Sequence, residues 1–316
     1  MSPKPIVLQV TPFPDADQAA LDAAYTMLRY DQAKDHTAFL QECGQSAQAI
    51  VTRGGAGVPA KVLAACSKAE MIAVYGVGYD KIDIEVCHAR NIRVTNTPDV
   101  LTGDVADLAV ALMLASARNV IGADDLVRSG RWADSGPAPL QNRVFGRNAG
   151  ILGFGRIGRA VAQRLSGFDM DIAYADIAPQ DEATGLTFVP DPIALARHSD
   201  FLFVTLAATA QTRNIVDRSV IEAVGSTGTI INVSRAANVD EDALITALQT
   251  GALGAAALDV FENEPNIDPR WAATPNAILQ PHHASATHQT RAAMGQLMRD
   301  NLAAHFAGQP LLTPVC

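Results

Sequence analysis

The stretch Ala149-Gly-Ile-Leu-Gly-Phe-Gly-Arg-Ile-Gly158 decides the fold of this chain. Its first four residues form an apolar run that is typical of a buried strand. Beyond them, Ile157, Val161 and Leu165 recur at helical spacing. A GxGxxG pattern that joins a strand to a helix is the fingerprint of a dinucleotide-binding unit. The stretch therefore predicts a Rossmann-type βαβ unit that binds a dinucleotide.

Each glycine of the pattern has a separate predicted task. Gly153 permits the tight turn from strand to helix, and Gly155 lets a pyrophosphate approach the backbone. Gly158 allows the helix and the strand to pack closely. Arg156 and Ile157 open the helix, whose first N–H groups and positive dipole end attract phosphate.

An acidic residue follows the second predicted strand of this unit. The strand is Asp171–Ala175, and Asp176 comes directly after it. A carboxylate at this point accepts hydrogen bonds from the ribose hydroxyls of NADH and repels the 2′-phosphate of NADPH. The next four residues, 177–180, offer no basic side chain to bind that phosphate. The sequence thus predicts NAD as cofactor, with NADH preferred over NADPH.

Length and composition narrow the class of protein. A chain of 316 residues suggests about two domains. The net charge of −9 argues against a nucleic-acid partner, and no apolar run approaches the ~20 residues that span a bilayer. No signal peptide precedes the first predicted strand, so a cytoplasmic location is expected. The scattered cysteines predict reduced thiols and no metal site; they are Cys43, Cys66, Cys87 and Cys316.

Strands alternate with helices along two parts of the chain. Such alternation predicts an α/β fold of two doubly wound parallel sheets. In the first part, predicted helices include Ala16–Arg29 and Val58–Cys66. The predicted strands of this part are Ile6–Val10, Ala49–Thr52, Met71–Val74 and Arg93–Asn96. Those of the second part, after the two strands already named, are Phe201–Leu206, Thr229–Val233, Gly254–Leu258 and Ala277–Gln280.

Three chemically suggestive segments follow strands of the second part. They are Asn232–Arg235, Asp259–Pro265 and Gln280–Ser285. In open α/β sheets ligands bind outside the carboxyl ends of the strands, where all three segments belong. An Arg, a Glu and a His at one edge supply a carboxylate anchor, an orienting acid and a proton donor. The alternative to a catalytic role is that the Arg is an ordinary solvated side chain and that the His is structural.

The motifs together resemble the D-isomer-specific 2-hydroxyacid dehydrogenases, over essentially the whole chain. The run 94–131 is most similar to the branch of glyoxylate/hydroxypyruvate and hydroxyphenylpyruvate reductases. The matching segments are Gly76–Asp80 with Ile82-Asp83, Thr95–Pro98, Val105–Ala109, Gly153–Gly158, Asn232–Arg235 with Val239–Glu241, Asp259–Pro265 and Pro281-His282.

The resemblance implies a two-domain enzyme with a cleft between the domains. A flavodoxin-like substrate domain would comprise residues 1–97 and 286–316, and a Rossmann NAD-binding domain residues 98–285. The family's catalytic residues match Arg235, Glu264 and His282. Besides the glycine motif and Asp176, the cofactor-binding positions of the family match Val233, Ser234, Arg235, Asp259, His282 and Ser285.

Substrate contacts are also implied by the resemblance. The family's backbone site for the substrate carboxylate matches Val77 and Gly78, for which an ordinary strand-to-helix turn is the alternative. Arg53 and Gly54 lie where the family places a second substrate-facing loop, and a surface ion pair is the alternative for Arg53. Arg235 and His282 complete the implied substrate contacts. The adjacent His283 receives no catalytic role.

One departure from the family concerns the segment after the catalytic arginine. The family usually has glycine there, whereas this chain has Ala236, which removes access to some backbone angles. A second departure is Ala207-Ala208, which replaces the proline-containing turn that the family often has after the strand Phe201–Leu206.

A homodimer is expected from the resemblance. An apolar face that two subunits could share is formed by Val105, Leu108, Leu112 and Met113. The arm Ser129–Ala149, with Trp132, is rich in Gly and Pro and predicts a long loop that extends toward a partner or packs on its own subunit.

The predicted activity is reduction of a small 2-oxo acid, of the glyoxylate/hydroxypyruvate type, by NADH to the D-2-hydroxy acid, and the reverse reaction. An NAD-sensing interaction protein resembling the C-terminal-binding-protein corepressors is one alternative. Phosphite dehydrogenase shares the Arg–Glu–His set and is the other. The residues alone do not distinguish these alternatives.

Overall fold

The protein divides into two compact units in the computed structural model, which describes residues 3–183 and 185–316. Unit 1 comprises Met1–Leu101 and Ala286–Cys316, and unit 2 comprises Thr102–Ser285. The chain therefore passes from one unit to the other at Leu101–Thr102 and again at Ser285–Ala286.

Unit 1 contains a five-stranded sheet in the described residues, with all strands parallel in the order β2-β1-β3-β4-β5. This order is that of the flavodoxin-like folds. Its strands are β1 Ile6–Gln9, β2 Thr26–Arg29, β3 Ala49–Arg53, β4 Met71–Tyr75 and β5 Arg93–Thr95. Its helices are α1 Asp15–Ala24, α2 His36–Cys43, α3 Ala60–Ala65, α4 Ile84–Ala89 and α11 His288–Phe306.

The predicted helix Ala16–Arg29 was too long. Helix α1 ends at Ala24, and Tyr25 is already extended, with φ −128° and ψ 162°. Strand β2 then pairs with β1, and Thr26 lies opposite Ile6. The aromatic and β-branched residues Tyr25 and Thr26 favour extended backbone, and the edge of the sheet supplies hydrogen bonds that a continued helix would forgo.

Unit 2 contains a seven-stranded parallel sheet, again counting only described residues, in the order β12-β11-β10-β9-β6-β7-β8. Its strands are β6 Asn148–Leu152, β7 Asp171–Ala175, β8 Thr187–Phe188, β9 Phe201–Val204, β10 Thr229–Asn232, β11 Ala255–Leu258 and β12 Ala277–Leu279. Its helices are α5 Thr102–Ala117, α6 Val120–Arg128, α7 Arg156–Leu165, α8 Pro192–His198, α9 Arg218–Val224 and α10 Glu241–Thr250.

The order of unit 2 reverses between β6 and β9. Strands on one side of β6 follow the order of the chain, and those on the other side begin with β9. This arrangement is the doubly wound Rossmann topology, whose ligands bind at the carboxyl ends of the strands near the reversal. The predicted fold class of two parallel-sheet α/β domains is confirmed. The two-residue edge strand β8 had not been predicted.

Aspartates start many of the helices. Asp35, Asp83, Asp191, Asp217 and Asp240 each precede a helix and accept a hydrogen bond from at least one of its first N–H groups. A carboxylate there satisfies a donor that the helix itself leaves unpaired and complements the helix dipole. Some of the excess acidic residues of this chain therefore stabilise the first turns of its helices.

One face of helix α5 is buried within unit 2, which corrects most of the predicted dimer face. Val105, Leu112 and Met113 are at most 5% exposed, whereas Leu108 is partly exposed. The helix packs against α7 and against strands β10 and β11 of its own sheet, so these side chains are already covered. Within the described residues, no single helix is long and apolar enough to cross a membrane; α5 and α6 meet that test only jointly, across a 60° bend.

Candidate active site

The glycine turn after β6 has the geometry that its sequence predicts. Gly153 has a φ of +97°, and a side-chain carbon there would lie 2.8 Å from the backbone nitrogen of Leu206. At Gly158 a side chain would overlap the carbonyl oxygen of Gly153. Gly155 instead faces open space, and no side chain caps the helix that it precedes. The start of α7, at Arg156 and Ile157, is a helix N-terminus of the kind that binds a dinucleotide pyrophosphate.

Two alanine substitutions separate the packing glycine from the ligand-facing one. We expect Gly158→Ala to lower the free energy of unfolding by ~1–3 kcal/mol, because the added methyl group overlaps backbone that cannot move away. Gly155→Ala adds a methyl group to open space, so stability should change by less than ~0.5 kcal/mol. The same methyl group should weaken NADH binding ~10-fold or more by blocking the pyrophosphate.

Urea unfolding of the free protein and fluorescence titration with NADH measure the two effects. An unstable Gly155→Ala variant, or one that binds NADH as tightly as the wild type, would contradict this division of tasks.

Asp176 links the end of β7 to the glycine turn. One carboxylate oxygen accepts the N–H of Phe154 at 2.8 Å, and the other accepts the N–H of Ile177 at 2.7 Å. The side chain of Ile177 is fully exposed. Asp176 therefore fixes the backbone of the glycine turn in addition to presenting a negative charge at the strand end.

The segment after β10 is held by two buried asparagines. The side chain of Asn232 accepts the N–H and the hydroxyl of Ser234 and donates to the carbonyl oxygen of Arg235 at 3.1 Å. Asn238, fully buried, donates to the hydroxyl oxygen of Ser234 at 3.1 Å. The Arg235 guanidinium donates back to the carbonyl oxygen of Ser234. These asparagines were not predicted as site residues; the signal present in the sequence is an amide at the end of a buried strand.

Ala236 does not disturb this segment. It begins a short 3-10 turn over Ala236–Asn238, and its φ is not positive. Because positive φ is the region that favours glycine, alanine meets no backbone penalty here. The neighbouring Val233 and Ser234 are buried beside the same strand end.

Glu264 and His282 form a direct pair. The Nδ1 atom of His282 lies 2.6 Å from a carboxylate oxygen of Glu264, whose other oxygen accepts the N–H of Phe261 at 2.8 Å. Both side chains are about one-third exposed, so the pair is supported by the protein and accessible to a ligand. With Nδ1 bound to the carboxylate, Nε2 of the imidazole is the nitrogen that can exchange a proton with a substrate.

The backbone around His282 is held from a neighbouring strand end. Both oxygens of Asp259 accept backbone N–H groups, from His283 at 2.8 Å and from Ala284 at 3.0 Å. Asp259 is only 1% exposed, and this burial raises its pKa, against which the two N–H donors act. His282 itself has a φ of +51°. The Asp259 hydrogen bonds thus fix the loop from Pro281 to Ser285 in which His282 adopts this uncommon conformation.

Strand order brings the predicted catalytic residues of unit 2 to one edge. Arg235 follows β10, Glu264 follows β11 and His282 follows β12, and these three strands are adjacent and parallel. Their carboxyl ends therefore meet at the same edge of the sheet, where a ligand of an open α/β sheet binds.

The loops of unit 1 that sequence analysis assigned to the substrate lie beside each other. The N–H of Gly54 donates to the carbonyl oxygen of Tyr75, and a side chain at Gly54 would overlap the carbonyl oxygen of Gly78. The carbonyl oxygen of Val77 accepts from the Asn96 amide at 2.8 Å. The N–H groups of Val77 and Gly78 have no acceptor among the described residues, which leaves them available to an anion.

Comparison with known proteins agrees with these features. The family model of the D-isomer specific 2-hydroxyacid dehydrogenase NAD-binding domain matches residues 110–284, more than half of the chain. The chain belongs to the D-isomer-specific 2-hydroxyacid dehydrogenase family. It is therefore a NAD-binding oxidoreductase of this family, which confirms the resemblance seen in its sequence.

Relatives match over almost their whole length. The chain is 41% identical to a 2-ketogluconate reductase of Gluconobacter oxydans over 315 residues, 100% of each protein. It is also 41% identical to a glyoxylate/hydroxypyruvate reductase of Arabidopsis thaliana over 309 residues, 98% of each. These dehydrogenases support reduction of 2-oxo acids as the reaction type.

Solved structures of this dehydrogenase family are similar as well. A 2-hydroxyacid dehydrogenase from Ketogulonicigenium vulgare is 60% identical, with a TM-score of 0.93 and 99% of both chains covered. An NADPH-dependent glyoxylate/hydroxypyruvate reductase from Sinorhizobium meliloti, in complex with NADP and malonate, is 38% identical, with a TM-score of 0.91; 99% of this chain and 97% of that one are covered.

Proposed function

We propose that this protein reduces a small 2-oxo acid of the glyoxylate/hydroxypyruvate type with NADH, giving the D-2-hydroxy acid. The observation that carries the proposal is the 2.6 Å contact between Glu264 and Nδ1 of His282, at the strand edge that also presents Arg235. An imidazole oriented by a carboxylate is a proton donor suited to a developing alkoxide. When bound, the nicotinamide cofactor supplies the hydride.

Each residue has one task in the proposed reaction. Arg235 binds the substrate carboxylate or the neighbouring carbonyl oxygen by two parallel hydrogen bonds, a geometry that lysine cannot supply. Protonated His282 donates from Nε2 to the alkoxide that forms at C2. Glu264 accepts from Nδ1 and fixes the orientation of the ring. In the reverse reaction neutral His282 takes up the same proton.

Further contacts complete the proposal within each unit. The N–H groups of Val77 and Gly78 bind the substrate carboxylate in unit 1, beside Arg53 and Gly54. In unit 2 the glycine turn binds the pyrophosphate, and the other cofactor contacts are the positions that the family resemblance assigned: Asp176, Val233, Ser234, Arg235, Asp259, His282 and Ser285.

A substrate panel tests the reaction. Oxidation of NADH would be followed with glyoxylate, hydroxypyruvate, pyruvate, phenylpyruvate and 2-ketogluconate, the last because a relative is a 2-ketogluconate reductase. The proposal requires turnover with glyoxylate or hydroxypyruvate above that with pyruvate, phenylpyruvate and 2-ketogluconate. A protein of the corepressor type would bind NADH without such turnover, and a phosphite dehydrogenase would instead reduce NAD with phosphite.

We expect NADH to be preferred over NADPH by at least ~10-fold in kcat/KM, which requires only ~1.4 kcal/mol. Asp176 places negative charge where the 2′-phosphate would bind, and residues 177–180 carry no positive charge to offset it. The NADPH dependence of the Sinorhizobium relative makes this measurement informative.

Both cofactors would be compared at a fixed oxo-acid concentration in the wild type, Asp176→Ala and Asp176→Asn. The asparagine variant can keep an oxygen for the N–H of Phe154, although it loses the acceptor for the N–H of Ile177, and so limits movement of the glycine turn. Equal efficiencies in the wild type, or an unchanged ratio in both variants, would show that Asp176 does not select the cofactor.

The proposed assembly is a homodimer formed through helix α6 and the arm that follows it. Unlike α5, this segment exposes a series of large apolar side chains at 52–59% of their surface, and Leu140 completely. Such a concentration of exposed apolar residues marks an interaction surface. The residues concerned are Val120, Ile121, Val127, Trp132, Leu140 and Phe145.

A charge placed on this surface should separate the subunits. We expect the wild type to be a dimer by light scattering at micromolar concentration, and Val127→Asp with Trp132→Asp to be a monomer, because both charges would be buried at the contact. Leu312→Asp, at an equally exposed leucine of unit 1, is the matched control and should remain dimeric. A monomeric wild type, or a dimeric double variant, would contradict this assembly.

A further inference from the structure

Two arginines of unit 1 lie against the same aromatic ring. The guanidinium carbon of Arg53 is 6.0 Å from the centre of the Tyr75 ring, and that of Arg291 is 5.9 Å from it. Arg53 ends β3 and is the register partner of Tyr75, which ends β4. The hydroxyl of Tyr75 donates to the backbone carbonyl oxygen of Arg291 at 2.9 Å. This hydrogen bond holds the beginning of α11 against the end of β4.

Among the described residues, no carboxylate forms an ion pair with either arginine. The protein as a whole nevertheless has a net charge of −9. Arg53 retains contact with solvent, yet partial burial and then the positive charge of Arg291 lower its pKa. Both distances to the ring are at the outer limit of cation–π attraction.

The pair adjoins the loops with unused N–H donors. Gly54 directly follows Arg53 and donates to the backbone of Tyr75, and the Gly76–Gly78 loop directly follows Tyr75. In the proposed function the N–H groups of Val77 and Gly78 bind the reacting carboxylate within unit 1, so that carboxylate does not need the two arginines. They are left for a second group of the same substrate.

We propose that Arg53 and Arg291, supported by Tyr75, bind a second anionic group at the end of the 2-oxo acid remote from the reacting carbonyl. This inference rests on the proposed 2-oxo acid reduction and narrows its substrate class. Two permanently charged guanidiniums suit a carboxylate or a phosphate, both of which they bind through paired hydrogen bonds. The preferred substrate is then a 2-oxo acid with a distal carboxylate or phosphate.

Matched substrate pairs test the proposal and separate the two anions. The phosphate pair is 3-phosphohydroxypyruvate with hydroxypyruvate, and the carboxylate pair is 2-oxoglutarate with 2-oxohexanoate. For each pair the ratio of kcat/KM, anionic over neutral, is measured with NADH in the wild type. We expect a ratio of ~10 or more for at least one pair, and the pair with the larger ratio identifies the anion.

The arginines are then replaced singly. Arg53→Gln and Arg291→Gln should each reduce that ratio on the order of 10- to 100-fold, mainly through KM, because a charged hydrogen-bond donor to the distal anion is lost. Lys68→Gln removes one positive charge from an exposed position of the same unit and is expected to leave the ratio unchanged. Thermal unfolding midpoints of the variants show that each remains folded.

Failure of the second anionic subsite gives a different result from failure of the proposed function. Turnover of glyoxylate by the wild type with no preference for either anionic substrate would overturn the subsite while the reaction stands. An equal loss of kcat/KM for the anionic and the neutral substrate of a pair in the arginine variants would also overturn it. The arginines would then act on the 2-oxo acid end that both substrates share. Absence of turnover with glyoxylate and every other 2-oxo acid would refute both.

Discussion

Replacing His282 with alanine is expected to lower kcat for oxo-acid reduction by ~10²–10⁴-fold, the usual contribution of a general acid. Removal of the imidazole leaves the alkoxide without its donor, whereas the glycine turn that binds the pyrophosphate is unaffected. NADH affinity should therefore remain within a few-fold of the wild type. Steady-state kinetics and a fluorescence titration with NADH measure these two quantities on the same variant.

His283 provides the matched control. It lies next to His282, but only its backbone N–H is used by the neighbouring structure, through Asp259. His283→Ala keeps that N–H and should retain turnover within about threefold, well below the effect of a general acid. Nearly full activity of His282→Ala across neutral pH, or an equal loss in the His283 variant, would show that His282 is not the proton donor.

The carboxylate partner of His282 can be neutralised without removing the hydrogen bond. Glu264→Gln can keep its one oxygen for the Nδ1–H of His282, but it loses the negative charge and the acceptor for the N–H of Phe261. Because a charge-assisted hydrogen bond to the ring is replaced by a neutral one, kcat for oxo-acid reduction should fall. An unchanged kcat would count against this pairing.

Arg235→Ala should reduce kcat/KM by ~10³-fold or more, the second of the two largest effects. Two charge-assisted hydrogen bonds to the substrate are lost, each worth ~1.5–3 kcal/mol. Arg235→Lys restores the charge but not the planar pair of donors, and should recover only part of the loss. The cofactor-binding glycines lie on a different strand end, so NADH binding should persist in both variants.

Comparison of Arg235→Lys with Arg235→Ala distinguishes a role of Arg235 in substrate binding from a role in local structure. The Arg235 side chain also donates to the carbonyl oxygen of Ser234, so a purely structural role would change the unfolding midpoint. We expect the midpoint to stay close to that of the wild type in both variants. Full activity of Arg235→Lys would refute the bidentate contact, and full activity of Arg235→Ala would refute any contact with substrate.

Much of the site was accessible from the sequence because its signals are local. A glycine at a required positive φ, as at Gly153, and an acid directly after a strand, as at Asp176, depend on neighbours within a few residues. The pairing of Glu264 with His282 was predicted from the resemblance, and the structure shows the two side chains in contact. Their catalytic role stays a prediction until the variants are measured.

Other features depend on contacts that no local pattern records. Asp259 was expected to contact the cofactor, which stays a prediction, and the structure adds that its oxygens accept N–H groups from His283 and Ala284 after the next strand. Helix α5 looked suitable for a dimer because its apolar face is regular, yet its own sheet covers that face. The helix predicted over Ala16–Arg29 ends at Ala24 in the structure. The residues after Ala24 pair with the edge of the sheet at β1 instead.

The sequence by itself determined the alternation of strands and helices, the dinucleotide-binding turn and the types of residue at each strand end. These follow from backbone preferences and from the spacing of apolar side chains, which act over one or two turns of chain. Only the tertiary structure decided which distant residues share a site, such as Arg53 with Arg291 around Tyr75. The reason is physical: parallel pairing and helix packing set those neighbours, and neither is encoded in a single segment.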